Sequence, residues 1–598
     1  MMDKRIVWVL VAPCVLAMML MASGAAVGQD TPYEESGGRI TPRYAETVAW
    51  LGDLAEGSSL LRMTSFGTSP QGRDLPLIIA DRDGRFESAD HAEREGRVVV
   101  LVQACIHAGE SCGKDAGMIL LRDLAAGTPE TEGLLDQVTL VFIPIYNVDG
   151  HERFGAYNRI NQNGPDEMGW RVTARNQNLN RDFLKADLPE TQAWLGLFED
   201  WRPDFFIDIH STDGADYQYP ITYGLELGGS MDPDLTTWTS QYRDAMVTAM
   251  AAEGYPLAPY VSFRTWHDPA SGLKAGAATP RFSQGYTAIQ NRPGLLIETH
   301  MLKPYPVRVD SARKLVLHTM RWCGDHADEL RGVVTAADSF AASAEFRAKP
   351  FPLSFTSTGD STEFEFLGVE YETRTSEITG GQWNKFSDRK QTTIVPYFDT
   401  LRPDVTAELP EFYLVPPEWS EAISRLKSHG IDFVRLASPA KLEVQTWKFI
   451  NPRWQERPYE GHHRVSFAAE PLAEKRLFPQ GTVVVDMNQR AARVIAHLLE
   501  PQGPDSLVKW GYFDSIFERV EYAESYVIEE MIPTLLAENP TWAAELEQAK
   551  ADNPEFAADP RAIRYWFYAR TPYFDDRVGI YPVGRLYSRQ QIQELIGG

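Results

Sequence analysis

The sequence predicts an α/β fold with a largely parallel central sheet flanked by helices, followed by a smaller α+β domain. Three observations predict it. From residue 97 to residue 331, short and wholly apolar runs alternate with longer amphipathic stretches. Those runs lack polar alternation, which suits strands covered on both faces by crossover helices. Beyond residue 350 the pattern changes to charged residues alternating with aromatic ones, the signature of half-exposed antiparallel strands.

The elements follow in order. Thr41 as N-cap and Pro42 in the first turn open a helix whose apolar stripe is Trp50, Leu51 and Leu54. Residues 98–102 form the first buried strand and 115–124 the helix after it. Residues 138–145 form a second strand, and Pro189 opens a helix that runs to residue 201. Residues 204–209 form a third strand, 233–253 a helix, 294–298 a fourth strand, and 306–331 one long closing helix. A boundary falls at 335–350, where an Ala/Ser/Asp stretch gives way to Lys349 and Pro350. In the second half, residues 363–375 alternate as antiparallel strands. Residues 412–415, 420–429 and 432–436 give strand–helix–strand, and 483–485 with 489–499 adds a strand and a helix. The expected division is a signal peptide at 1–29, a first domain at 30–340 and an accessory α+β domain at 345–598.

Composition narrows the partners. The chain has 598 residues, 43% apolar and 24% charged, which are globular proportions for two domains. A formal net charge of −25 repels phosphate backbones and anionic membrane surfaces, so no nucleic-acid partner is expected. Lys4 and Arg5 precede an apolar run over 6–21 and small residues over 22–28, the layout of a secretory signal peptide, with an uncleaved membrane anchor as the alternative. The expected location is therefore secreted or periplasmic, with no stable membrane span after cleavage. Cys105, Cys112 and Cys323 then remain, and their odd number and spacing make no disulfide framework.

Four groups of residues carry chemistry. His107 and Glu110 stand three apart where the first buried strand ends and a helix begins, the crevice where α/β sheets bind ligands. His210 ends another buried strand about a hundred residues later. Two histidines and a glutamate, with a fourth position open, make a catalytic rather than a structural zinc site. Glu298 ends a third apolar strand, where a carboxylate is costly to bury without a role, and it suits a general base. His300, two residues on, is a rival ligand. The loop from Trp170 to Asp182 holds Arg171, Arg175, Asn178, Asn180 and Arg181, planar forks and amides suited to a carboxylate or an oxyanion.

Taken in order, His107-x-x-Glu110, Asn147-Val-Asp-Gly150, Asn178-Leu-Asn180-Arg181, His210-Ser211 and Glu298 resemble the zinc carboxypeptidases of the carboxypeptidase A family over roughly residues 40–330. The resemblance implies a mixed central sheet of about eight strands and a metallocarboxypeptidase hydrolysing the C-terminal peptide bond of a peptide or protein. It implies one Zn²⁺ held by His107, Glu110 and His210, Glu298 as general acid/base and Arg171 as the transition-state arginine. It also implies Asn180 and Arg181 as the clamp for a free terminal carboxylate, and Tyr286 as a substrate-contacting tyrosine. Three departures stand out: Gly109 replaces an arginine that contacts substrate, Asn178 replaces an aspartate that orients a zinc histidine, and the tyrosine is displaced. A zinc-dependent deacylase or amidase on the same fold, acting on acyl-amino acids or cell-wall peptides, and a non-catalytic binding protein are the alternatives.

Overall fold

The computed structural model describes residues 28–89, 96–212, 214–265 and 268–592. The expected signal peptide falls on residues 1–29, almost all of it outside the described residues.

The central sheet has eight strands. They are β1 (Leu61–Thr68), β2 (Asp74–Ala80), β3 (Val98–Ala104), β4 (Val138–Ile143), β5 (Phe205–Thr212), β6 (Ile221–Leu225), β7 (Leu257–Pro259) and, after the two-residue β8 (Leu273–Lys274) of another sheet, β9 (Gly294–His300). The spatial order is β1-β2-β4-β3-β5-β9-β6-β7. Its middle, β4-β3-β5-β9, is parallel, and antiparallel pairs join β1 to β2, β2 to β4 and β6 to β9. The chain leaves β3 to form β4 on one side and returns to form β5 on the other. The C-terminal ends of β3 and β5 therefore frame a crevice at a topological switch point.

Side chains alternate across the sheet, so each strand feeds two cores. Val98, Val100 and Val102 of β3 pack under α1 (Tyr44–Glu56), α2 (Cys112–Ala126), α4 (Pro233–Ala252), α6 (Tyr305–Asp325) and α7 (Ala327–Ala341). Val99 and Leu101 face the other way, onto α3 (Pro189–Trp201) and α5 (Ser283–Ile289). That second core runs on without a break into the C-terminal half, through α8 (Ser420–Ser428) and α9 (Ala492–Leu499).

In the C-terminal half, β10 (Thr362–Thr375) and β11 (Gln382–Phe398) form a long antiparallel hairpin, and β11 also pairs with β8. A six-stranded sheet is built from β12 (Phe412–Val415), β13 (Val434–Arg435), β14 (Ala440–Trp454), β15 (Val465–Phe478), β16 (Val483–Asp486) and β17 (Gly584–Leu586), in the order β13-β16-β12-β17-β14-β15. A small helical cluster of α10 (Ser525–Glu538), α11 (Trp542–Asp552) and α12 (Pro560–Tyr568) has an apolar core of its own.

Three sequence expectations need correction. Thr41 is not the N-cap of α1. Its hydroxyl donates to Asp115 Oδ1 at 3.0 Å, and the helix opens at Arg43, whose N–H is taken by the Glu46 side chain at 2.9 Å. The expected helix over 306–331 is two helices broken at His326 (φ −117°, ψ 27°), where the imidazole stacks on Trp322. The strand expected at 432–436 shrinks to Val434–Arg435.

Candidate metal centre

The turn after β3 brings the first two candidate ligands to the crevice. Cys105 takes φ = 58°, a left-handed conformation that costs a non-glycine residue about 1–2 kcal/mol and turns the chain sharply before His107. Asn147 secures this turn: its N–H donates to Cys105 O at 3.2 Å, and its side-chain amide donates to Ile106 O and Arg171 O, each at 3.4 Å. Gly150, three residues on, admits no side chain, because a Cβ there would lie 2.4 Å from Val172 O. The Asn-Val-Asp-Gly motif thus locks the His107 turn to the Arg171 loop.

His107, Glu110 and His210 converge, with ligand atoms all within 4.8 Å of one another. The two Nδ1 atoms lie 3.1 Å apart, and Glu110 Oε2 is 3.3 Å from that of His107 and 3.2 Å from that of His210. The outer nitrogens fix the tautomers. His107 Nε2–H donates to Asn178 Oδ1 at 3.0 Å, and His210 Nε2 pairs with Asp208 Oδ2 at 2.8 Å. With the protons held outside, both Nδ1 lone pairs point inward beside a carboxylate. Such facing acceptors repel one another unless a cation lies between them, so the donor set fits a divalent metal. Burial pushes the His107 pKa down to about 4, which keeps that imidazole neutral. Burial opposes a positive charge on His210, but the Asp208 and Glu110 carboxylates outweigh it and raise the pKa, so the space at its Nδ1 favours a cation, whether proton or metal.

Glu298 stands beside His210 in parallel register on β9. Burial raises its pKa; Glu110 and Asp208 add to the rise, while His210 and Arg171 oppose it. Glu298, His107, Glu110, His210 and Arg171 line one cavity of about 430 Å³. Asn158, Arg159, Trp170, Tyr260 and Met301 complete much of its wall.

Other expected site residues lie elsewhere. Asn180 is buried beside the centre, with Nδ2 3.5 Å from His210 Nε2 and Oδ1 accepting from Ser283 N at 2.9 Å. Arg181 points away from the wall: its guanidinium sits 4.3 Å over the Phe282 ring and donates to Asn180 O. Tyr286 is not a substrate contact. It is fully buried in the second core, where its hydroxyl bonds His429 Nδ1 at 2.7 Å. His300 is not a ligand, because its Nε2 pairs with Asp216 at 3.1 Å. Cys105 and Cys112 are free and buried, so they form no bridge. Asp208 and Arg159 escaped the sequence reading. Asp208 carried a signal, since it lies two residues before His210 and so on the same strand face.

Residues 47–273 match the family model described as zinc carboxypeptidase. This chain carries a zinc carboxypeptidase domain. The family's metal is zinc and its activity is that of a metallocarboxypeptidase. The match ends before Glu298, which follows on β9. Among named relatives, Carboxypeptidase 2 of Trichophyton rubrum is 21% identical over 500 residues, covering 80% of this chain and 85% of the relative. Carboxypeptidase 2 of Trichophyton equinum is 21% identical over 467 residues, covering 74% and 78%. Among solved structures, a metallo-carboxypeptidase from Burkholderia cenocepacia is 20% identical with a TM-score of 0.35, covering 47% of this chain and 69% of that one. Among the described residues no helix is long and apolar enough to cross a membrane.

Proposed function

We propose that this zinc carboxypeptidase hydrolyses the C-terminal peptide bond of peptides or proteins at the centre formed by His107, Glu110 and His210. The observation that carries the reading is the convergence of those three side chains beside Glu298 and Arg171 in one cavity. Zinc, when held there, supplies Lewis acidity toward a carbonyl oxygen and acidifies water. Glu298 takes the proton of the attacking water and returns it to the leaving amine, a task its raised pKa suits. Arg171, whose side chain is 42% exposed, is free to donate to the carbonyl oxygen as negative charge grows there. Asn180 and Arg181 hold the terminal carboxylate, Arg181 by swinging off Phe282. The catalytic domain spans 30–340 and the accessory one 345–598. The layout of residues 1–29 supports a secreted or periplasmic enzyme.

Zinc quantification on the purified chain is expected to give one ion. Glu298→Gln is expected to retain that zinc and lose about 100-fold or more in kcat; near-normal turnover would remove Glu298 from the base role. Arg181→Ala is expected to impair hydrolysis of free-acid peptides while sparing any residual action on amidated ones, and equal loss on both would reject the clamp. Blocked dipeptides should be cleaved in preference to acyl-amino acids; the reverse order would mark a deacylase.

A further inference from the structure

Two arginines reach the same oxygen of Glu110. Arg159 Nη2 donates to Oε1 at 2.7 Å and Arg171 Nη1 at 3.2 Å. The other oxygen, Oε2, faces both imidazole Nδ1 atoms and accepts from Ser211 N at 3.0 Å, while Oε1 also lies 3.2 Å from the Nδ1 of His107. Arg159 is 9% exposed and Arg171 42%. Freeing the buried guanidinium from its carboxylate leaves an unpaired charge out of water, whereas water readily replaces the partner of the exposed one. Of the two, Arg159 is therefore the one that stays.

Arg159 is delivered by a secured loop. Gly155 and Met168 exchange backbone hydrogen bonds of 3.0 and 3.3 Å at its base. Gln162 Nε2 donates to Gly109 O at 2.9 Å, and Asn163 N to Met301 O at 2.9 Å. The buried Arg308 donates to Asn163 O and Gly164 O, each at 2.6 Å. The side chain then crosses position 109, where a Cβ would lie 2.9 Å from Arg159 Cγ and 2.6 Å from Gly169 O. Glycine at 109 is what lets the guanidinium reach Glu110.

We propose that Arg159 is a positioning residue: it fixes the Glu110 carboxylate in the orientation that faces both imidazoles, so that Arg171 is released to the substrate. The proposal rests on the reading of Glu110 as a ligand. Its chemistry is a charge-assisted hydrogen bond to one oxygen of a ligand carboxylate, which fixes that ligand's orientation.

The test uses the full chain with cobalt(II) in place of zinc. The readouts are metal content, the visible d–d spectrum, the number of oxygen neighbours by X-ray absorption, and kcat and KM on one free-acid peptide. Arg159→Ala is expected to keep one cobalt, change the spectrum, alter the oxygen neighbours and lower kcat by about 10–100-fold, with KM little changed. Arg159→Lys is expected to restore much of the spectrum. Arg171→Ala is expected to lower kcat with the wild-type spectrum. An unchanged spectrum in Arg159→Ala overturns the positioning role, whichever kinetic constant moves. If that variant does not fold, Arg159→Gln carries the same comparison. Glu110→Ala separates the two levels. Full cobalt retention there overturns the ligand reading itself; loss of cobalt there, beside an unchanged Arg159→Ala spectrum, overturns only the positioning role.

Discussion

Glu226 follows β6, is 2% exposed, and accepts a hydrogen bond from Ala278 N at 2.9 Å. Burial raises its pKa to about 7. An unfolded glutamate titrates near 4.3, so the folded chain binds the extra proton between the two values. The stability it contributes is complete below about pH 4 and lost as pH rises through about 7, a loss of about 4 kcal/mol. Glu226→Gln keeps an acceptor for Ala278 and removes the titration. Urea denaturation from pH 4 to pH 8 should show the wild type losing about 4 kcal/mol more than the variant; parallel curves would contradict the assignment. The site residues were legible to different degrees for similarly local reasons. His107, Glu110, His210 and Glu298 sit at strand ends, where apolar runs announce the crevice. Arg159 was not legible, because its role depends on a loop folding over Gly109. Tyr286 was misread because counting along the chain does not reveal that His429, from another element, meets its hydroxyl in the core.

At the scale of elements, the hairpin of β14 and β15 reaches the metal centre from the far half of the chain. Its connecting segment carries Glu460, whose Oε2 accepts from Asn178 N at 2.8 Å and whose carbonyl accepts from Gln177 Nε2 at 2.8 Å. Asn178 Oδ1 is the acceptor that orients His107. Where the family's aspartate carries its own charge, this chain has a neutral amide whose backbone is held by a carboxylate 282 residues away in sequence. Glu460→Ala is expected to weaken zinc binding in chelator competition and to lower kcat/KM by about 10-fold. Thermal stability should change little, since the residue is only half-buried. Unchanged zinc affinity would reduce the hairpin to a bystander. Nothing in the local sequence announces such a contact. Continuous apolar runs made β3 and β4 legible and Pro189 made the start of α3 so; the break at His326 was not, since Gly324, two residues before it, sits within an otherwise unbroken helical pattern.

At the scale of the whole molecule, the two halves share one core. Leu77, Ile79, Val99, Leu101, Trp194 and Phe198 from the central sheet and α3 pack in one cluster with Tyr413, Val415, Leu426, Val483 and Ile495 from the C-terminal half. Polar contacts lace the same seam. Arg425 pairs with Asp187 at 3.0 Å, His462 with Asp187 at 2.6 Å, and His429 Nε2–H donates to Leu184 O at 2.8 Å. The residue pattern changes at 335–350, but pattern cannot show whether the segments on either side bury one another. Removing residues 345–598 would uncover several large side chains, each worth about 1.5–3 kcal/mol when buried, on one contiguous face. It would also strand Asp187 and Lys185 at an exposed edge. The chain ending at residue 344 is therefore expected to be insoluble, or to bind a hydrophobic dye and lack a cooperative melt, although it keeps His107, Glu110, His210 and Glu298. A soluble truncation with a sharp transition and bound zinc would show instead that the central sheet stands alone and that the shared core is dispensable.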